Sequence, residues 1–232
     1  MNITYHKLVD ATELPAEATA ETHLFCVDVD DLSGRAIEMI STINNTSWIF
    51  ELGSIPRTSY ETIALKTAAK LVEIFRTADG NIGAEFGEYV VSMSAGDCLG
   101  AKLGHTVLPL SELWKEQLSG NPGFDFHTES HNNRIAFGEA KYNSNQSSYT
   151  DAASQVHDFI DADKDKMDAV HLVHLASGEA MDALLDGSRG LAIAFSLHSK
   201  NHEKILANAL ASDFVQALCK RADELYVIGV RT

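Results

Sequence analysis

Long hydrophobic runs are missing from this chain of 232 residues. No stretch approaches the roughly 20 apolar residues a membrane-spanning helix needs. Cysteine is scarce: Cys26, Cys98 and Cys219 are odd in number and far apart, which excludes a disulfide framework and the paired spacing of a zinc site. Positive charge is in short supply, with 18 Lys plus Arg against 33 Asp plus Glu and a formal charge of −15. A protein that holds nucleic acid unaided carries a basic patch, because neutralising phosphates supplies most of the affinity. Any such chemistry here needs a local basic groove, a metal, or a partner that delivers the substrate. The opening "MNITYHKLVDATELPAEATAET" lacks the basic-then-apolar order of a secretory signal, so a cytoplasmic, reduced protein is expected. Its Pro-, Ala- and Glu-rich part, residues 11–22, reads as a loose arm.

What is present is an ordinary globular composition, long enough for one domain or a domain with an extension. "HLFCVDV" (23–29) reads as a strand, "LSGRAIEMISTINN" (32–45) as a helix, and "SWIFELG" (47–53) as a short strand. Ala64, Ala68, Leu71, Val72 and Phe75 recur at helical intervals through residues 57–78, with Asp79-Gly80 as the stop. "GAEFGEYVVSMSAGDCLGA" (83–101) is a second helix, rich in Gly and Ala as close packing requires. "GHTVLPL" (104–110) is a weak strand. After the stretch 123–142 come a polar loop, a helix from about Tyr149, two further helical pieces, a buried strand "RGLAIAFSLHS" (189–199), an amphipathic helix (203–222) and a closing strand (224–232). The acidic segment Asp151–Asp168 reads as a solvated helix face. The order predicts an α/β architecture with a mixed sheet and helices on both faces.

The stretch "GFDFHTESHNNRIAFGEAKY" (123–142) reads as two short strands around a polar turn. Alternation places Ile135, Phe137, Glu139 and Lys141 on one face and Ala136, Gly138 and Ala140 on the other. A two-residue turn at Asn132-Asn133 sets Asp125 opposite Ala140. A three-residue turn, His131–Asn133, sets Asp125 opposite Glu139, Phe124 against Ala140 and Phe126 against Gly138. The second register opposes large to small residues and gathers the charges, and Asn133 suits the left-handed position such a loop needs. Two carboxylates this close repel each other, so one takes up a proton unless a cation intervenes. Lys141 offsets them in part; a hard divalent cation held by oxygens would satisfy both. A Mg²⁺-type site acidifies bound water and stabilises a phosphoryl transition state. The bare spacing Asp…Glu-x-Lys is short enough to arise by chance, and alone it favours a simple salt-bridged hairpin.

Four elements in order, "GAEFGEY", "GFD", "GEAK" and "AASQVHDF", make the chain resemble the PD-(D/E)xK nuclease superfamily over roughly residues 80–200. "EFGE…GFDFH…FGEAKY" resembles, more narrowly, the HamA-type nuclease subunits of the Hachiman anti-phage system. The resemblance implies a restriction-endonuclease-like core over residues 56–232, with residues 1–55 as an N-terminal α/β extension packed on it. It implies Mg²⁺ (Mn²⁺ substituting) bound by Asp125, Glu139 and the carbonyl of Ala140, with Lys141 as catalytic lysine. Glu88 matches the helix glutamate, with Glu85 one turn away as its rival, and Gln155 would contact the substrate. The implied activity is phosphodiester hydrolysis, in DNA, as a defence effector acting with a helicase partner. The alternative is an inactive subunit that keeps the fold for assembly. No proline directly precedes Asp125, a departure from the superfamily's name.

Other signals are weaker. His171 and His174 lie three apart on an apolar helix without a third ligand at useful spacing, which favours packing. Ser196, His198 and Lys200 lack an acid partner and a nucleophile elbow. Gly80, Gly83 and Gly87 follow no strand in the dinucleotide-binding manner. His127 is expected on the acidic face, touching substrate or shielding the carboxylates.

Overall fold

A computed structural model describes residues 1–77, 83–115 and 123–232. Seven strands form one mixed sheet: β1 (Asn2–Leu8), β2 (Glu21–Asp28), β3 (Thr106–Val107), β4 (Phe126–Glu129), β5 (Ile135–Lys141), β6 (Gly190–Ser196) and β7 (Glu224–Arg231), in the spatial order β1-β2-β7-β6-β5-β4-β3. The middle four, β2, β7, β6 and β5, run parallel, and antiparallel strands close both ends. Every residue of β6 is buried, as a parallel strand covered on both faces requires.

The helices are α1 (Leu32–Asn44), α2 (Ser47–Phe50), α3 (Ser54–Thr77), α4 (Ala84–Leu103), α5 (Tyr149–Asp161), α6 (Lys164–Leu172), α7 (Gly178–Leu185), α8 (His202–Leu210) and α9 (Asp213–Leu218). Neighbouring residues of β5 show that two layers flank the sheet. Gly138 lies under Phe126, which reaches α4 near Gly96. Phe137 meets Phe124, which in turn packs edge-on to Phe159 of α5. Helices therefore cover both faces, as the sequence predicts. Gly96 and Gly100 let α4 sit close to Val107, where an added Cβ would come within 3.3 and 3.1 Å of that side chain. No helix among the described residues is long and apolar enough to cross a membrane.

Four local expectations differ from the structure. Residues 1–55, expected as an extension, supply β1 and β2 to the same sheet, and β2 pairs with β7 along its whole length. The arm 11–22 is tied down: a capping box of Asp10 and Glu13 forms a short 3₁₀ turn, and the amides of Thr19 and Ala20 both bond the Cys219 carbonyl. "SWIFELG" begins with α2, not a strand, because Asn45 Oδ1 caps the Ser47 amide and Ile49 is drawn into the core. The helix expected over 203–222 is broken into α8 and α9. Ser212 Oγ donates to the Ala209 carbonyl and Gln216 Nε2 to that of Leu210, competing for acceptors a continuous helix would use. Asp79 and Gly80 lie outside the described residues.

Candidate active site

The β4–β5 hairpin carries the site, and its turn sets the register. Ser130 and Arg134 close a three-residue loop, with Ser130 N donating to Arg134 O at 2.9 Å. Asn133 takes the left-handed conformation at φ 55°. Phe126 then pairs with Gly138 and His127 with Phe137, the register favoured by opposing large to small. A Cβ on Gly138 would lie 2.3 Å from Phe126 Cζ, so only glycine leaves room for the ring.

At Asp125 the ladder changes. The Asp125 amide donates to Gly138 O at 2.9 Å, although Gly138 is already the partner of Phe126. Two residues thus face one, a bulge, which re-aims side chains and ends pairing, so Asp125 stands opposite Gly138 and not, as expected, opposite Glu139. Phe124 is thrown to the face of Phe137, His127 and Phe159, so the expected contact of Phe124 with Ala140 does not form. The Asp125 carboxylate takes the position a backbone carbonyl would hold and accepts the Ala140 N–H at 2.8 Å. The N–H and C=O of one strand residue point to the same edge. Ala140 therefore turns its carbonyl toward the gap occupied by the Asp125 carboxylate.

The other expected residues gather at this gap. Glu139 is 1% exposed; its Oε1 accepts from Lys141 Nζ at 2.7 Å, while Oε2 has no hydrogen-bond partner among the described residues. Glu88, half-buried on α4, lies near the Tyr142 backbone amide just past the end of β5, which works against the upward push of burial on its carboxyl. Glu85 is exposed and lies 4.0 Å from Lys70, so Glu88 is the helix acid that turns inward. Gln155 is half-buried on α5, and no hydrogen bond joins it to the cluster among the described residues.

Electrostatics mark the cluster as short of positive charge. Burial, then the Asp125 charge, push the Glu139 carboxyl well above the usual range, against the pull of Lys141. Burial raises Asp125 to about 6 despite the Ala140 N–H, with Glu88 adding repulsion. Burial also raises Glu88. The carboxylates in turn hold the Lys141 ammonium above its ordinary value, outweighing the burial that lowers it.

Sequence reasoning missed three contributors. Glu112, in the 3₁₀ turn Ser111–Leu113, is buried and raised to about 8 by burial and by Asp125; the only sign was an acid enclosed by apolar residues in "PLSELW". Lys115 Nζ bonds Asp168 Oδ2 at 2.5 Å and reaches the Phe124 carbonyl at 3.5 Å, backing the bulge. Asp168, expected on a solvated face, is 8% exposed, and Asp165 is buried beside Arg189. The outer Asp151, Asp158, Asp161 and Asp163 do face solvent. His127 touches no substrate surface: it is fully buried, its ring nitrogens engaged by Ser111 Oγ at 3.1 Å and Asp168 at 3.1 Å. His171 packs, as expected, with Nδ1 on the Tyr60 hydroxyl at 2.8 Å and its ring beside Trp114.

No family model matches the chain, and no curated protein or solved structure does either.

Among the described residues, no three His, Cys, Asp or Glu side chains converge closely enough to hold a metal ion. The gap offers two carboxylates and a main-chain carbonyl. That set suits Mg²⁺, which keeps several waters and takes one or two protein carboxylates, and it does not suit an all-protein cage. Glu139 Oε2, buried and without a hydrogen-bond partner among the described residues, is the atom such an ion would satisfy.

Proposed function

We propose that this chain is a metal-dependent nuclease of the PD-(D/E)xK type, with a restriction-endonuclease-like core, hydrolysing phosphodiester bonds in DNA. The observation that carries the reading is the bulge. It places the Asp125 carboxylate at Ala140, near a buried Glu139 that has one oxygen bound to Lys141 and the other without a hydrogen-bond partner among the described residues. Burying such acids without compensation costs several kcal/mol, on the order of the stability of a whole domain's margin. A site that pays this cost in its empty state gains it back on binding a cation.

Asp125, Glu139 and the Ala140 carbonyl would hold Mg²⁺ or Mn²⁺. When bound, the ion lowers the pKa of its water and neutralises charge on the phosphate. Lys141 would orient the attacking water and offset the charge that grows on the phosphate oxygens. Glu88 stands at the end of the same strand, where it orders water opposite the gap. Gln155, on the neighbouring helix, is assigned to the substrate strand. The charge of −15 disfavours capture of free nucleic acid, which supports a reading in which a helicase partner presents the strand, as for an effector of prokaryotic anti-phage defence.

The test is cleavage of plasmid and linear DNA by the purified chain, alone and with a helicase encoded beside it. Activity is expected with Mg²⁺ or Mn²⁺ and none in EDTA. Ca²⁺ should bind without supporting cleavage, since it holds ligands more loosely and acidifies water less. Undiminished cleavage in EDTA sinks the metal mechanism. Binding to the helicase without cleavage under any metal identifies an assembly subunit instead.

A further inference from the structure

The residue after Lys141 has no role in the scheme above. Tyr142 lies half-buried at the end of β5, its ring laid over Gly87 of α4. A Cβ on Gly87 would meet Tyr142 Cγ at 2.3 Å and Cδ1 at 2.4 Å, so the glycine is what lets the ring lie there. The backbone around it is clamped from the next strand: Asn143 N donates to Ser196 Oγ at 2.9 Å, and Ser196 Oγ donates to Asn143 O at 3.0 Å. His198, exposed, bonds the same carbonyl through Nε2 and turns its ring edge toward Tyr142, with centroids 6.5 Å apart. Gly87, under the ring, directly precedes Glu88 on α4, which brings this aromatic corner beside the acid cluster.

An aromatic ring that only seals a core has no need of a surface position beside a charged gap. Here one side of the ring lies on Gly87, and the residue that follows is held at both its N–H and its C=O. The corner lies at the carboxyl edge of parallel strands β5 and β6, the place where ligands enter open α/β sheets. A rigid, part-exposed aromatic next to a phosphate-directed cation matches the pairing used on single strands, where bases stack on rings while cations follow the backbone.

We propose that Tyr142, walled by His198, is the stacking platform for an unpaired nucleobase next to the phosphate at Lys141. This rests on the nuclease reading and narrows it: the nucleotide beside the cut must be out of a duplex, so the substrate is a single strand or a locally opened one. Tyr142 acts here as a substrate-contacting residue, and Gly87 as the one that makes space for it.

The full chain, alone and together with the helicase partner, in Ca²⁺ to allow binding without cleavage, would be mixed with short single strands carrying one fluorescent adenine analogue, and with the matching duplex. The wild type is expected to bind the single strand more tightly and to quench the analogue at one position. Tyr142→Phe should keep both properties. Tyr142→Leu, which keeps apolar cover over Gly87 without a ring, should lose the quenching, weaken single-strand binding by about tenfold, and raise KM more than it lowers kcat in Mg²⁺. Quenching and affinity retained by Tyr142→Leu, or a preference for the duplex, overturns the platform while Mg²⁺-dependent cleavage leaves the nuclease reading standing. A wild type that neither binds nor cuts any nucleic acid overturns both.

Discussion

Asp125→Asn should stabilise the metal-free protein, and only above mildly acidic pH. In the folded chain Asp125 keeps its proton up to about pH 6, against 3.8 for the free side chain. A carboxyl whose folded pKa is raised binds more protons in the folded than in the unfolded state between those values. Stability therefore falls as pH rises from about 4 to about 6, and the loss is complete above that window. At about 1.4 kcal/mol per pH unit the ceiling is about 3 kcal/mol. Asp125 is half-buried, and solvent screening brings the expected gain to about 1–2 kcal/mol. Asparagine is neutral at every pH and keeps a carbonyl oxygen for the Ala140 N–H, so it removes the repulsion without orphaning the amide. For a chain of this size the gain corresponds to roughly 2–8 °C in Tm. Melting would be followed in EDTA at pH 4, 6 and 7.5, and again at pH 7.5 with Mn²⁺. The variant should match the wild type at pH 4, exceed it at pH 7.5, and gain nothing from Mn²⁺, which should raise the wild type. A variant less stable than the wild type at pH 7.5 in EDTA refutes the reasoning, as does a gap that is the same at pH 4.

Three further outcomes follow from neighbouring residues. Lys141→Ala should abolish cleavage while leaving the melting temperature within a few degrees of wild type, measured on one preparation; an unchanged rate would reduce the hairpin charges to a salt bridge. Phe126→Ala should lower stability by about 3–5 kcal/mol, because a ring seated on Gly138 leaves a cavity that the glycine cannot fill; urea unfolding reads this directly. Glu88→Gln should reduce cleavage far more than Glu85→Gln, since Glu88 meets the end of β5 and Glu85 faces Lys70 in solvent; equal effects in a single-turnover assay would contradict the assignment.

The strands and helices with clear periodicity were legible without coordinates, and so was the register of the hairpin. Opposing Phe126 to Gly138 and placing Asn133 at φ 55° are local choices that side-chain size and turn chemistry decide. The bulge was not legible. It depends on Lys115 reaching the Phe124 carbonyl and on Phe124 finding Phe159 on α5, contacts between segments far apart in the chain. Glu112 and Asp168 were passed over for the same reason, because an acid's neighbours in space do not show in its neighbours in sequence. The same holds for "SWIFELG", where tertiary burial of Ile49 and a cap from Asn45 outweighed strand propensity.

By itself, then, the sequence determined what short-range rules control: an α/β chain, a three-residue hairpin turn, a glycine beneath a phenylalanine, and an acid, an acid and a lysine near one strand end. Only the tertiary structure decided that residues 1–28 join the central sheet, and that Asp125 takes over the Ala140 amide. It also decided that Glu139 is buried with one oxygen on Lys141 and that Tyr142 rests on Gly87. Burial and close approach are properties of the assembled chain, and they set the energies of charged groups far more strongly than the identity of adjacent residues does.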